Sequence, residues 1–346
     1  MTAKRRAAVV DTTGTQLVMR PLRLRPPRVD ELRVRLVACG ICHTDLAMCA
    51  SASAGSILGH EGAGIVEQTG SAVRAVQPGD AVVLSYQSCG CCVPCRQQRP
   101  AHCDNFWQLN FDFQRLDGSS GYLAPLHGHF FGQSSFASHA LVSERNVVRV
   151  ANTLPLATLA PLGCGLQTGA GTVLNSLNLQ SGERLLVLGV GTVGLAAVMA
   201  ARLRRAASIV ALDSQARRLR LAGELGATQM LQTAQQLLQL APLDYVIDTT
   251  GNADLEKQAL ERLRPGGTLV RLTGGGAMKL SHHRQIISVI QGDAVPQRFI
   301  PYLIAQWQAG HFPFERLIDF YPFEAINQAL AAARSGKSIK AVLRFP

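Results

Sequence analysis

Four cysteines fall within fifteen residues, Cys89, Cys92, Cys95 and Cys103, spaced C-x2-C-x2-C-x7-C. Gly90 and Pro94 force turns between them, so the four sulfurs can close a tetrahedron on one zinc. A tetrahedron filled by protein has no open position, so such a metal is structural and pins a lobe with few apolar residues of its own. Two alternatives stand beside it. Disulfides at this density would be strained and belong to an oxidising compartment. An iron–sulfur cluster needs an electron partner, and nothing in the chain suggests one. Cys91 lies inside the run but off its spacing; like Cys39 and Cys49 it reads as an ordinary small apolar residue.

A second donor pattern stands upstream, in residues 39–45 and 59–64. Cys42 offers a thiolate and His60 an imidazole, and a catalytic zinc takes three such ligands and keeps one position open. Acids accompany both, Asp45 after the cysteine and Glu61 directly after the histidine. A ligating imidazole usually donates its other N–H to a carboxylate, which sets its tautomer. Gly59, Gly62 and Gly64 allow tight backbone around the histidine. A buried cysteine and a satisfied core histidine would look the same from this stretch alone. The best third donor is Cys164, whose flanking Gly163 and Gly165 leave it open to close approach.

Residues 184–188 read as a strand running into Gly189, Gly191 and Gly194 in G-x-G-x-x-G spacing, followed by an Ala-rich helix over 195–205. That is the setting a dinucleotide turn requires: glycines let the backbone approach a pyrophosphate, and the helix N-terminus adds partial positive charge. A second strand ends at Asp213, nineteen residues past Gly194. Its carboxylate suits ribose hydroxyls and repels a 2′-phosphate, which favours NAD over NADP. Arg217 and Arg218 weaken that preference slightly, since either could accept the phosphate. Helices over 215–225 and 253–263 and strands over 244–248 and 268–272 follow, the last running into glycines 274–276. Alternating β and α elements predict a doubly wound parallel sheet.

Residues before 155 read differently, as short strands at 6–10, 17–20, 31–38, 63–68 and 81–84, with a Pro-rich connection at 21–27. Residues 291–346 return to that style and end in a strand at 339–345. The 346 residues therefore predict two domains: 1–155 with 291–346, β-rich and holding both metal patterns, and 156–290, holding the dinucleotide. Phe106, Trp107, Phe111, Phe113, Tyr122, Phe130 and Phe131 crowd a Gly-rich stretch, 106–132, that reads as a long loop; it either packs over the core or walls an apolar pocket. The net charge of +11 comes from scattered arginines without a basic, aromatic-laced stripe, which excludes a nucleic-acid role and fits a solvated surface with a pocket for an anionic cofactor. The first residues lack the apolar run of a secretion signal, and the longest apolar stretch, 185–201, carries spaced glycines rather than the pattern of a membrane span. Six of nine cysteines given to metal predict a reducing compartment, the cytoplasm, with no membrane partner.

With both metal patterns and the glycine fingerprint in this order, the chain resembles, over nearly its whole length, the zinc-dependent medium-chain alcohol dehydrogenases. The resemblance implies a GroES-like catalytic domain beside a Rossmann NAD domain, two zinc ions per chain, and a homodimer or homotetramer. It implies Cys42, His60 and Cys164 as catalytic zinc ligands, Asp45 behind His60, Glu61 as a carboxylate able to approach the metal, Thr44 as the hydroxyl at the substrate oxygen, and His43 and Lys340 at the cofactor pyrophosphate. The words at residues 130–137, 161–171, 312–314 and 320–323 resemble those of the aryl-alcohol and geraniol dehydrogenases. The implied reaction is reversible oxidation of a primary aromatic or allylic alcohol to the aldehyde, by hydride transfer to NAD from an alkoxide that zinc stabilises. An aliphatic alcohol, a polyol or a glutathione-linked formaldehyde adduct is the alternative substrate, and a nucleotide-binding protein without turnover is the alternative of another class. Two departures bear on this. Many relatives carry a histidine where this chain has Ala47, and the 46–58 loop is short and Ala/Ser-rich.

Overall fold

The computed structural model describes residues 5–274, 278, 280 and 283–346. Gly275 and Gly276 of the glycine run after the 268–272 strand lie outside the described residues.

The chain divides into two compact units. The first comprises Met1–Cys164, Val295–Ile304 and Glu315–Pro346. Its main sheet has seven strands, ordered Ile318–Pro322, Lys340–Arg344, Glu31–Gly40, Gly62–Thr69, Ala81–Leu84 and Val147–Val150, with His139–Ser143 also paired to Glu31–Gly40. All neighbours are antiparallel save the two C-terminal strands. The long strand Glu31–Gly40 shows why: Leu32, Val34 and Leu36 are buried while Arg33 and Arg35 face outward, the alternation of a half-buried strand. The inward residues pack on Val66, Val82, Leu84, Ala140, Val142 and Val147. A separate ribbon pairs Arg6–Val10 with Leu17–Pro21.

Three chain turns at this sheet carry the donors. Strand Glu31–Gly40 gives way to a helix, His43–Cys49, with Cys42 at its N-cap. Asp45 closes the first turn by accepting the Cys42 N–H at 2.9 Å. His60 and Glu61 directly precede strand Gly62–Thr69. Cys164 follows the turn Ala160–Gly163, which lies hard on the sheet: a Cβ at Gly163 would stand 2.0 Å from the Leu84 carbonyl oxygen. The stretch 106–132, expected as one loop, contains a helix at Phe106–Phe111 and a single turn at Phe130–Gly132. The buried Asn110 amide, donating to Phe106 O and Gln87 O, stitches that helix to the neighbouring chain, a long-range tie with no local sign.

The second unit comprises Gly165–Ala294 and Ala305–Phe314. Six parallel strands run in the order Gln229–Leu231, Ser208–Leu212, Arg184–Leu188, Leu243–Asp248, Leu263–Arg271 and Gln285–Ser288. The central strands are apolar throughout because both faces are covered. Helix Thr192–Leu203 begins earlier than the predicted 195, since Gly191 serves as its N-cap. Helix Ala216–Leu225 ends at Gly226, whose φ of +127° is open to glycine at little cost. Among the described residues no helix is long and apolar enough to cross a membrane.

Candidate active site

The donor atoms of Cys42, His60, Glu61 and Cys164 all lie within 4.8 Å of one another. Asp45, fully buried, ties two of the backbone turns behind them to the His60 ring. Its Oδ2 accepts from Cys42 N–H, and its Oδ1 accepts from Gly59 N–H at 3.0 Å and from His60 Nδ1 at 3.0 Å. A carboxylate can only accept there, so Nδ1 carries a proton and Nε2 is the ring atom left facing the cluster. That Nε2 is buried and has no hydrogen-bond partner, the condition of a ligand atom awaiting a metal. A hydrogen bond with Cys164 holds the Cys42 thiol well below its usual range, and the same bond, with burial, pushes Cys164 up. Two sulfurs and one imidazole nitrogen gathered within 4.8 Å of one another fit a zinc with one open position.

Glu61 meets a partner beyond the cluster. Lys340 Nζ, fully buried, lies 2.9 Å from each Glu61 carboxylate oxygen and donates to Ile41 O at 2.9 Å. Burial works against the Lys340 charge, but Glu61 holds it above the usual lysine range; burial raises the Glu61 carboxyl and Lys340 offsets part of that. The pair exists because Gly40 has no side chain: a Cβ there would stand 2.0 Å from Glu61 Oε2. Thr44 Oγ1 lies 3.8 Å from Cys42 Sγ, while His43 is exposed at the helix start. Ala47 is exposed on the same helix. The short 46–58 segment is stitched down by Gly55 N–H to Val10 O at 2.9 Å and Ile57 N–H to His127 O at 2.8 Å.

Aromatic rings cover one side of the histidine. Phe131 stacks on His60, with Phe130 edge-on at 5.5 Å. Phe111 packs on Phe131 at 5.0 Å, and Phe113 stacks on Phe130 at 5.4 Å. Phe111 and Phe113 are half-buried and Trp107, 5.2 Å from Phe111, is 63% exposed. Tyr122 lies apart, with its hydroxyl on Gln133 O at 2.9 Å, and Phe106 is a core residue against Tyr86. Of the seven aromatics singled out in the sequence, four rings therefore form a continuous wall from His60 toward solvent, Phe131, Phe130, Phe111 and Phe113.

In the four-cysteine lobe, Cys89 Sγ and Cys95 Sγ are 4.0 Å apart, and Cys92 Sγ and Cys103 Sγ 3.9 Å. Sulfurs about 2.3 Å from a central zinc form a tetrahedron with edges of about 3.8 Å, whereas a disulfide needs about 2.05 Å. None of the nine cysteines is joined to another by a disulfide. Backbone N–H groups of Cys91 and Cys92 overcome burial and bring Cys89 down to about 6, so a thiolate stands ready for metal.

In the second unit, Gly189 has φ +81°, and a Cβ on it would meet Thr249 Oγ1 at 2.5 Å. A Cβ on Gly194 would meet Gly189 O at 2.0 Å, which packs helix against strand. A Cβ on Gly191 would meet none of the described residues within 4 Å: open room beside a helix N-terminus, as a pyrophosphate requires. Asp213 accepts from Val190 N–H and Gln215 N–H, each at 2.9 Å, and Arg218 Nη1 lies 3.6 Å from its Oδ2.

The family described as "Alcohol dehydrogenase GroES-like domain" matches residues 28–152, and that described as "Zinc-binding dehydrogenase" matches residues 192–292. A geraniol dehydrogenase from Castellaniella defragrans is 41% identical, covering 98% of this chain and 97% of its own. A zinc-binding-domain alcohol dehydrogenase protein from Burkholderia ambifaria superposes with a TM-score of 0.94 at 41% identity, covering 99% of each chain. The benzyl alcohol dehydrogenase of Acinetobacter calcoaceticus superposes with a TM-score of 0.92 at 35% identity, again over 99% of each chain.

Proposed function

The chain belongs to the zinc-dependent medium-chain alcohol dehydrogenases, and from that premise we propose that it interconverts primary aromatic or allylic alcohols, of the benzyl alcohol or geraniol type, with their aldehydes, using NAD. The observation that carries the substrate class is the wall of Phe131, Phe130, Phe111 and Phe113 rising from the ligand His60. Flat, apolar substrates gain both buried area and ring contacts there, which a short aliphatic alcohol cannot use.

When bound, zinc supplies a Lewis acid that acidifies an alcohol oxygen, and NAD supplies the hydride acceptor. The chain's own residues do the rest. Cys42, His60 and Cys164 hold the metal, and Asp45 keeps the His60 proton on Nδ1. The Thr44 hydroxyl would accept the alcohol proton at Oγ1 as it passes its own on; with Ala47 in place of a histidine, that released proton leaves through water. The phenyl wall excludes water from the apolar side. Cys89, Cys92, Cys95 and Cys103 hold the structural zinc. Gly189, Gly191 and Gly194 cradle the pyrophosphate, and Asp213 takes the ribose hydroxyls and disfavours a 2′-phosphate, with Arg218 tempering that choice. Lys340 reaches a phosphate only if its pair with Glu61 opens. Cysteines without disulfides support a cytoplasmic setting, and the family resemblance supports a homodimer or homotetramer.

NADH formation with benzyl alcohol, geraniol and ethanol, before and after chelation, tests this reading. Chelator-sensitive turnover that favours the first two supports it; preference for ethanol would point to the aliphatic alternative.

A further inference from the structure

Behind the metal ligands lies a buried polar layer that the reaction does not consume. Gln133 is fully buried and its amide is saturated. Nε2 donates to His60 O at 3.0 Å and Ser85 O at 3.1 Å, and Oε1 accepts from Gly62 N–H at 3.1 Å and Ser135 Oγ at 2.6 Å. Ser85, equally buried, donates from Oγ to Gly163 O at 2.7 Å, the residue before Cys164. Asn146 Nδ2 donates to Ser85 O and to Phe131 O, each at 3.0 Å. One line of bonds therefore runs from the peptide of His60 through Gln133 and Ser85 to the peptide that precedes Cys164, with a branch to the ring stacked on His60.

We propose that Gln133 and Ser85 are positioning residues that set the separation of the ligands His60 and Cys164. These ligands are more than a hundred residues apart, so no local geometry fixes their distance. A tetrahedral zinc tolerates only a few tenths of an ångström in its bond lengths. The peptide planes of residues 60 and 163 decide where the two donors point, and both planes are held by this layer. Four residues of the clamping segment, His129, Phe131, Gly132 and Ser134, have positive φ. Three of them bear side chains that disfavour that conformation, and such strain persists where surrounding bonds over-determine it. Gln133 itself sits within that segment.

The inference rests on the metal reading above, and zinc content separates the two. Full-length chain should hold two equivalents; if it holds none at the Cys42–His60–Cys164 site, the metal reading fails first. Zinc release to a chelator is then followed in Gln133→Met, Ser85→Ala and Ser85→Thr, with sites assigned by the Co(II) spectrum, since two thiolates and an imidazole absorb differently from four thiolates. Gln133→Met and Ser85→Ala should speed release from the catalytic site by about 10- to 100-fold, as loss of supporting hydrogen bonds does elsewhere. The four-thiolate site should release at the wild-type rate, and Ser85→Thr, which keeps the hydroxyl, should behave as wild type. Should Gln133→Met not fold, Ser85→Ala removes one bond, leaves the amide in place and decides alone. Release unchanged in both variants, or both sites emptying together in step with a lowered melting midpoint, overturns the proposal.

Discussion

The imidazole of His60 and the ring of Phe131 lie face to face, centroids 4.3 Å apart and planes 21° from parallel. On the proposed reading, the same ring that buttresses His60 is the innermost surface of the substrate wall. Replacing it should act on substrate choice more than on metal. For Phe131→Ala, kcat/KM on benzyl alcohol should fall by about 2- to 10-fold relative to its change on ethanol, the size of one ring–ring contact. Paired steady-state assays on the two alcohols check this; equal losses on both would remove Phe131 from the wall.

Burial opposes a proton on His60 in the metal-free chain, yet Asp45 carries the ring up to about 10. Zinc must then displace that proton at neutral pH, so uptake by stripped protein should tighten as pH rises. The same proton stabilises the stripped fold: its contribution is full below the ordinary value of 6.5 and is lost as pH climbs through about 10. Melting midpoints of chelated protein across that window should decline, whereas zinc-loaded protein should lack this component. Asp45→Asn should flatten the decline and weaken zinc binding by about 10- to 100-fold.

Lys340 and Glu61 are both almost wholly buried, so removing one partner leaves an uncompensated charge. Lys340→Met should cost about 3–5 kcal/mol of stability. The double variant Lys340→Met with Glu61→Gln should recover most of it. Denaturant unfolding of the single and double variants measures the difference, and a neutral single variant would mean the pair contributes nothing net.

Asp213 tethers two N–H groups with its two oxygens, so alanine would loosen the glycine turn as well as remove charge. Asp213→Asn keeps one acceptor. It should raise the NADP-to-NAD ratio of kcat/KM by about tenfold, the equivalent of about 1.4 kcal/mol, because Arg218 stands 3.6 Å away to receive a phosphate. An unchanged ratio would show that another group excludes the 2′-phosphate.

The clustering of Cys89, Cys92, Cys95 and Cys103 was legible because four sulfurs at such short spacings can meet at one point with only local turns. The glycine turn was legible because a strand, three glycines and a helix must adjoin in sequence. Strands such as Arg6–Val10 and Ala81–Leu84 declared themselves by β-branched residues and the turn residues around them. Gln133 was not legible as a partner of His60. It sits 73 residues away in a run noted only for its likeness to a subgroup, and an amide surrounded by small polar residues carries no local mark of burial. The Glu61–Lys340 pair spans 279 residues, so a lysine that from sequence alone suited a phosphate is found on a carboxylate. The three-residue polar run 133–135, in a stretch bounded by Phe131 and Phe136, is the one clue that a buried hydrogen-bonding layer was needed there.

The carboxylate of Glu61 fills the volume that any other residue at position 40 would claim for its own side chain. A single added methyl in the sheet would have to push an acid either toward the thiolates or away from its lysine. The electrical balance of the metal pocket is therefore guarded by a backbone position with no functional group of its own, and a change at Gly40 would register as a shift of charge before it registered as a loss of packing.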